Sequence, residues 1–209
     1  MSRRTEQRAE TRSRLLSAAA ELFAERGFAA ASVEQIAARA GYTIGALYDH
    51  FGGKEGLFLA LADEERAVAL TEVEGEATSP GSGPEDFGPY FDNLTQRDRD
   101  WWLLSYEFWA YAVRNPEVAE KLAVHWADSR RAVARMIAAR FAAEDETLPV
   151  PAEDIAVVIG ALLEGLVLQQ LVDPGTPRGE VFARALTWLF AGLSRPTSTA
   201  GGQRKERRR

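Results

Sequence analysis

The sequence predicts an all-α fold in which a small N-terminal three-helix unit is joined by a linking helix to a larger helical body. Apolar residues recur at three- and four-residue intervals through the segments between Leu15 and Leu193, which is the spacing of one helical face. Helix-starting and helix-ending residues punctuate these segments, among them Ser32, Gly41, Thr43, Pro84, the Asn115-Pro116 pair and the Asp173–Pro177 run. With 209 residues and 46% apolar content, the chain can bury one sizeable core and a small satellite unit.

The first segment carries Arg3, Arg4, Arg8, Arg12 and Arg14 against Glu6 and Glu10, so it reads as a basic arm running into a helix. From Leu15 the pattern becomes amphipathic, with Leu15, Ala19, Leu22 and Phe23 on one face and Gly27 as the expected stop. Ser32 then starts a second helix: its hydroxyl can accept an orphan backbone N–H, and Gln35 can reach back to complete a capping box. Val33, Ile36, Ala37 and Ala40 share one face, and Gly41 ends the helix without a Cβ clash. Thr43 caps a third helix from Ile44 to about His50, with Leu47 and Phe51 turned toward Ile36 and Leu22. Its other face carries Ile44, Gly45, Tyr48 and Asp49, with His50 at the end and Lys54 after the Gly52-Gly53 corner.

Two short helices joined by a tight glycine-containing turn form the usual helix-turn-helix, whose second helix enters the DNA major groove. A purely structural hairpin has no reason to hold Gly45 inside a helix, at about 1 kcal/mol relative to alanine, or to leave Tyr48 outside. The run G-Y-T-I-G-A-L-Y-D-H-F-G-G-K-E-G-L resembles the signature of the TetR family of bacterial transcriptional regulators. The resemblance covers residues 9–69, with the motif at 32–51, and beyond that only the helical architecture. It implies that Ser32, Thr43, Ile44, Gly45, Ala46, Tyr48, Asp49, His50 and Lys54 lie at the DNA, with Arg12 and Arg14 near its backbone. Ile44 stands where the family often has a polar or basic residue, so a thymine methyl is its expected contact.

Lys54 starts a fourth helix of about twenty residues, with Leu57, Phe58, Leu61, Val68 and Val73 expected inward. Residues 75–83, GEATSPGSG, read as a loop and a domain boundary. The body follows over 84–195. Pro84 opens a helix with Phe87, Tyr90, Phe91 and Leu94 as its stripe, and WWLLSYEFWAYAV (101–113) is apolar on nearly every side. A long helix over 117–143 turns Val118, Leu122, Trp126, Val133, Ile137 and Phe141 inward. Two apolar helices follow, at 152–172 and 179–193, with more apolar surface than one monomer needs. The resemblance implies that such a pair builds a four-helix dimer bundle, and Leu162, Gly165, Leu168, Leu186, Leu189 and Leu193 are the expected interface residues. Residues 196–209, ending in RKERRR, read as a disordered basic tail.

The net charge of −6 divides unevenly. Residues 1–56 carry 8 Lys/Arg against 7 Asp/Glu, residues 57–194 carry 11 against 23, and residues 195–209 carry 6 against 1. An acidic body repels phosphate and orients the other end toward DNA. Cysteine is absent, which excludes a disulfide scaffold and a thiolate metal site and fits a reducing cytoplasm. The N-terminus is charged rather than apolar, and the stretch 155–172 is interrupted by Glu164, so neither a signal peptide nor a membrane span is expected.

Aromatic residues concentrate between 87 and 126, which suits a cavity for a flat or greasy small molecule. Trp102, Tyr106, Trp109 and Trp126 are its expected lining, with Glu107, His125 and Glu164 as polar groups that orient a ligand. The resemblance raises this expectation, since family members bind an effector in the body. The expected protein is a cytoplasmic, homodimeric, ligand-responsive repressor acting on a palindromic duplex operator, with no cofactor. Activation on the same fold is an alternative. A small helical enzyme using Glu107 or His125 as acid or base is another, but no nucleophile motif, metal spacing or phosphate loop supports it.

Overall fold

The computed structural model describes residues 3–78, 81, 83–176 and 178–193, all of them helix, turn or connection, with no strand among them. The helices are α1 (Arg3–Ala30), α2 (Val33–Ala40), α3 (Ile44–Phe51), α4 (Lys54–Thr78), α5 (Phe87–Arg97), α6 (Arg99–Ala112), α7 (Pro116–Ala143), α8 (Ala152–Val172) and α9 (Gly179–Leu193), with a 3-10 turn at Pro84–Asp86 before α5. The all-α class and the small-head, large-body arrangement are as expected. The tail over 196–209 lies outside the described residues.

Three boundaries differ from expectation. Helix α1 begins at Arg3, so the arginine arm is itself helical. Gly27 breaks α1 without ending it, adopting φ 76° and ψ 168° before a last turn to Ala30. Helix α4 runs through residues 75–78, which the Gly, Ser and Thr composition had assigned to a loop. Continuing to Thr78 gives α4 25 residues, a rod of about 37 Å.

Packing explains why the head and body are not separate spheres. Leu15, Leu22, Phe23, Ile36, Leu47, Leu57 and Phe58 of α1–α4 are buried in one apolar cluster with Leu104 and Phe108 of α6 and Val118 and Leu122 of α7. Phe28 sits at its centre, edge-on to Phe108 at 4.9 Å and to Phe58 at 6.0 Å, each such pair adding about 1 kcal/mol to the burial itself. A second cluster holds Phe91 and Leu94 of α5, Trp102 of α6, Leu166 and Val167 of α8, and Phe182 and Leu186 of α9. The third joins Ile137 and Phe141 of α7 to Ile155 and Ala156 of α8. Helices α5 and α9 meet closely because Gly88 and Gly179 carry no side chain, and Asp92 accepts the Gly179 N–H at 3.0 Å. Val68, expected inward on α4, is half exposed.

Helices α8 and α9 keep an uncovered apolar side. Val157, Val158, Leu168 and Val172 of α8 and Trp188 of α9 are exposed, Val172 by 80% and Trp188 by 71%. By length and composition alone α8 passes for a helix that could cross a bilayer, a test that the core helix of a folded body also passes. Its inner half packs in the core and its outer half forms this stripe, so nearly all of it is apolar for two separate reasons.

Candidate nucleic-acid interface

The α2–α3 hairpin forms as the caps dictate. Ser32 accepts from the Gln35 backbone N–H and Gln35 returns the bond to the Ser32 N–H, both at 3.3 Å. Gly41 closes α2 at φ 77°, where an L side chain is strained, and its N–H and that of Tyr42 return to the carbonyls of Ala38 and Ala37. Thr43 caps α3 by accepting the Ala46 N–H at 3.2 Å. Such caps contribute about 1 kcal/mol each, which matters for helices of eight residues.

Leu47 is fully buried, while Ile44 and Tyr48 are 40% and 52% exposed. Thr43, Gly45 and Asp49 are exposed beside them, and Ala46, His50 and Ser32 are half-buried at the margin. The outer face of α3 is therefore a continuous surface of small, apolar and polar groups. Helix α1 borders it with cations. The Arg12 guanidinium lies 4.9 Å from the Phe51 ring centre, and that of Arg14 lies 5.3 Å from the Tyr42 ring centre. Burial and then the charges of Arg8 and Arg12 push the His50 pKa down, placing Arg8 in the same electrostatic neighbourhood. Arg8 and Tyr42 were not singled out as site residues. The signal for Arg8 was its four-residue spacing from Arg12, which puts both on one helical face.

Lys54 corrects an expectation. It was read as facing outward, yet its ammonium donates to the carbonyls of Phe28 at 2.8 Å and Ala31 at 3.0 Å and sits 4.4 Å from the Phe28 ring centre. Burial lowers its pKa. The carbonyls left open at the C-terminal end of α1, at Ala30, are what draw it inward.

The expected ligand residues divide into two groups. Trp102, Tyr106, Trp109 and Trp126 form a connected row, with ring centres 6.3, 5.0 and 5.5 Å apart in succession. Tyr106 donates to the Glu164 backbone carbonyl at 2.5 Å, and burial pushes its phenol up to about 12. The Glu164 carboxyl is raised by burial alone. Trp102 Nε1 is buried without an acceptor among the described residues. Glu107 and His125 do not belong to this row as ligand groups: the Glu107 carboxylate accepts the Phe28 N–H at 2.8 Å, and His125 Nδ1 lies 3.0 Å from Asp63 Oδ1 across α4 and α7. Both tie the body to the head. Two clefts, of about 200 and 160 Å³, are lined by other residues, at Phe141 and Phe190 and at Leu61 and Trp101.

Among the expected interface residues, Gly165 and Leu168 are exposed and Leu162 is half-buried. Leu186 is only 4% exposed, inside the second cluster, and Leu189 and Leu193 pack against the third. These three cover their own chain. Trp188, next to Leu189 in the chain but turned to the outer side of α9, has the exposure they were expected to have.

A family model described as bacterial regulatory proteins, tetR family, matches residues 15–61, and one described as BetI-type transcriptional repressor, C-terminal, matches residues 89–194. The HTH-type transcriptional repressor AcnR of Corynebacterium glutamicum is 42% identical over 66 residues, which are 32% of this chain and 35% of that protein. The HTH-type transcriptional regulator UidR of Escherichia coli is 48% identical over 61 residues, 28% of this chain and 31% of that protein. The chain thus matches about a third of the length of these curated relatives. Salmonella enterica GusR superposes with a TM-score of 0.65 at 28% identity, covering 88% of this chain and 95% of that one.

Proposed function

The chain belongs to the TetR family of bacterial regulatory proteins and is a transcriptional regulator, and from that premise we propose that it acts as a homodimeric repressor on a palindromic duplex operator. The observation that carries this reading is the division of α3, with Leu47 wholly buried and Ile44 and Tyr48 exposed beside Asp49. A face anchored so firmly on one side and left open on the other suits insertion into a major groove. The Arg8, Arg12 and Arg14 side chains of α1, which lie near His50, Phe51 and Tyr42, support this reading, in which they meet phosphates flanking that groove.

A second copy covers the Val157, Val158, Leu168, Val172 and Trp188 stripe. Gly165 supports this, because a side chain built there meets nothing within 4 Å in the monomer, leaving room for a partner helix. Two heads held this way reach successive major grooves about 34–36 Å apart. A small hydrophobic or aromatic effector binds in the body against the Trp102–Trp126 row, accepts the orphaned Trp102 N–H, and moves α4 through α6. It lowers operator affinity by its differential affinity for the two states. The protein works in the cytoplasm, without a membrane or cofactor.

Activation is the same binding event at another promoter position. The enzymatic reading loses its residues, since Glu107 and His125 are engaged in contacts between head and body. Selection of random duplexes by the wild-type protein, followed by affinity measurement with Tyr48→Ala, tests the proposal. An inverted-repeat consensus bound at least tenfold more weakly by the variant supports it, and enrichment of no sequence refutes it.

A further inference from the structure

The outward arc of α3 consists of Ile44, Gly45, Tyr48 and Asp49, at the spacing of one helical side. All four are exposed, with Leu47 buried behind them. The composition of this arc is restrictive. It holds no Arg, Lys, Asn or Gln, the side chains that pair bidentately with guanine or adenine in the major groove. Thr43, beside the arc, is committed as the helix cap. Within the arc only Tyr48 and Asp49 can form side-chain hydrogen bonds, and a carboxylate accepts without donating.

Gly45 adds a second observation. A Cβ built on it would meet only Thr43 Oγ1, at 3.8 Å, so the chain's own packing does not demand a glycine in a helix, where alanine is more favourable. Its bare backbone leaves an open shelf beside Ile44. The Tyr48 ring leans on the corner that follows α3, 3.7 Å from where a Cβ on Gly53 would stand, and one turn earlier Ile44 stays 40% exposed. An apolar group on a groove-reading face gains by meeting another apolar group. In the major groove that group is the thymine C5-methyl.

Asp49 selects in a different sense. A carboxylate turned toward an anionic duplex is repelled unless a donor meets it. The donors in the major groove are the amino groups of cytosine and adenine, whereas guanine presents O6 and N7 and thymine presents O4, all of them acceptors.

On the premise of the operator reading above, we propose that α3 specifies its half-site by one methyl and one amino group: Ile44 recognises a thymine methyl, and Asp49 recognises the amino group of a cytosine or adenine and excludes guanine. Gly45 gives the thymine methyl room to approach. The arc reads no base through a bidentate amide or guanidinium.

The duplex that the wild-type chain selects from a random pool tests this, with each thymine replaced in turn by deoxyuridine, which lacks only the methyl. One position is expected to lose about fourfold in affinity per half-site, the effect of one buried methyl. Ile44→Ala should bind the thymine and uracil duplexes equally, and Ile44→Val, which keeps a branched pair of methyls, should retain the preference. At another position wild type should prefer cytosine or adenine to guanine by at least about tenfold, a preference that Asp49→Ala loses while keeping its sensitivity to uracil. These variants alter exposed side chains, so they should melt near wild type, which thermal unfolding verifies. Enrichment of no sequence overturns the operator reading and this inference together. A selected operator that is indifferent to uracil at every thymine, or as sensitive to it in Ile44→Ala as in wild type, overturns the methyl contact and leaves the operator reading standing. Base preferences in Asp49→Ala identical to those of wild type overturn the amino contact in the same way.

Discussion

The Glu107 carboxylate accepts the Phe28 backbone N–H at 2.8 Å, so a side chain of the body caps the break in the first helix of the head. Gly27 makes that possible. At φ 76° it turns the chain out of α1, and a Cβ there would stand 2.6 Å from Glu107 Oε2. Tyr111, one turn along α6, adds a second tie by donating to Glu55 at 2.8 Å.

Replacing Gly27 by alanine is therefore expected to destabilise the fold by about 1–3 kcal/mol through its positive-φ extended backbone alone, and by more through the clash. Glu107→Ala leaves the Phe28 N–H without its partner and should cost about 1 kcal/mol. Chemical unfolding of both variants checks this. A Gly27→Ala protein as stable as wild type would show that the break is not held as described.

Lys54 and Arg12 are both basic and both belong to the head, but they should fail differently. Lys54→Met removes donors to the carbonyls of Phe28 and Ala31 and a cation over a ring, with an expected loss of about 2 kcal/mol of stability. Arg12→Ala exposes little and should change the melting temperature slightly, while lowering the salt slope of duplex binding by about one unit. Paired thermal melts and salt titrations separate the two. A salt slope that falls for Lys54→Met with no loss of stability would contradict the inward placement of its ammonium.

Charge placed on the open stripe should give folded monomers. Val172→Glu and Leu168→Glu alter exposed positions, so helicity should persist while sedimentation at micromolar concentration shows the mass of one chain. Leu186→Glu buries a charge in the second cluster and should unfold the body, at a cost of several kcal/mol. Folded monomeric Leu186→Glu, with Val172→Glu still dimeric, would invert the assignment of faces.

The raised pKa of Glu65, due first to burial and then to Asp98, carries a sign for stability. In the window between the ordinary carboxylate value and the raised one, the folded chain holds a proton that the unfolded chain has released. The contribution of the protonated form is full below the ordinary value and is lost as pH rises through the raised one. Glu65→Gln stays neutral throughout, so it should raise the melting temperature at pH 7 and have no effect below about pH 4. A variant less stable than wild type at neutral pH would mean that Glu65 has a cationic partner.

How much was legible in the sequence varied with the kind of signal. The α2–α3 hairpin could be read residue by residue because its caps are local: Ser32, Gly41 and Thr43 act on backbone groups within four positions. Lys54 could not, since a long flexible side chain goes where acceptors are, and its nearest acceptor lies 26 residues earlier, in the last turn of α1. Leu186 and Trp188 show a different limit. Helix α9 is apolar on more than one side, and periodicity alone cannot tell which side its own chain covers. Glu107 was singled out correctly as an unusual charge on an apolar helix, but its partner is a backbone N–H 79 residues away, which no spacing rule reaches.

The central claim is that two copies present two α3 faces to one duplex, and the mass of the protein–DNA complex in solution tests it most directly. Analytical ultracentrifugation on a selected inverted repeat is expected to show two chains per duplex, and a duplex with only one half-site should bind at least about 100-fold more weakly, since linking two heads multiplies affinity on that scale. One chain per duplex, with the half-site bound as tightly as the full repeat, would contradict it.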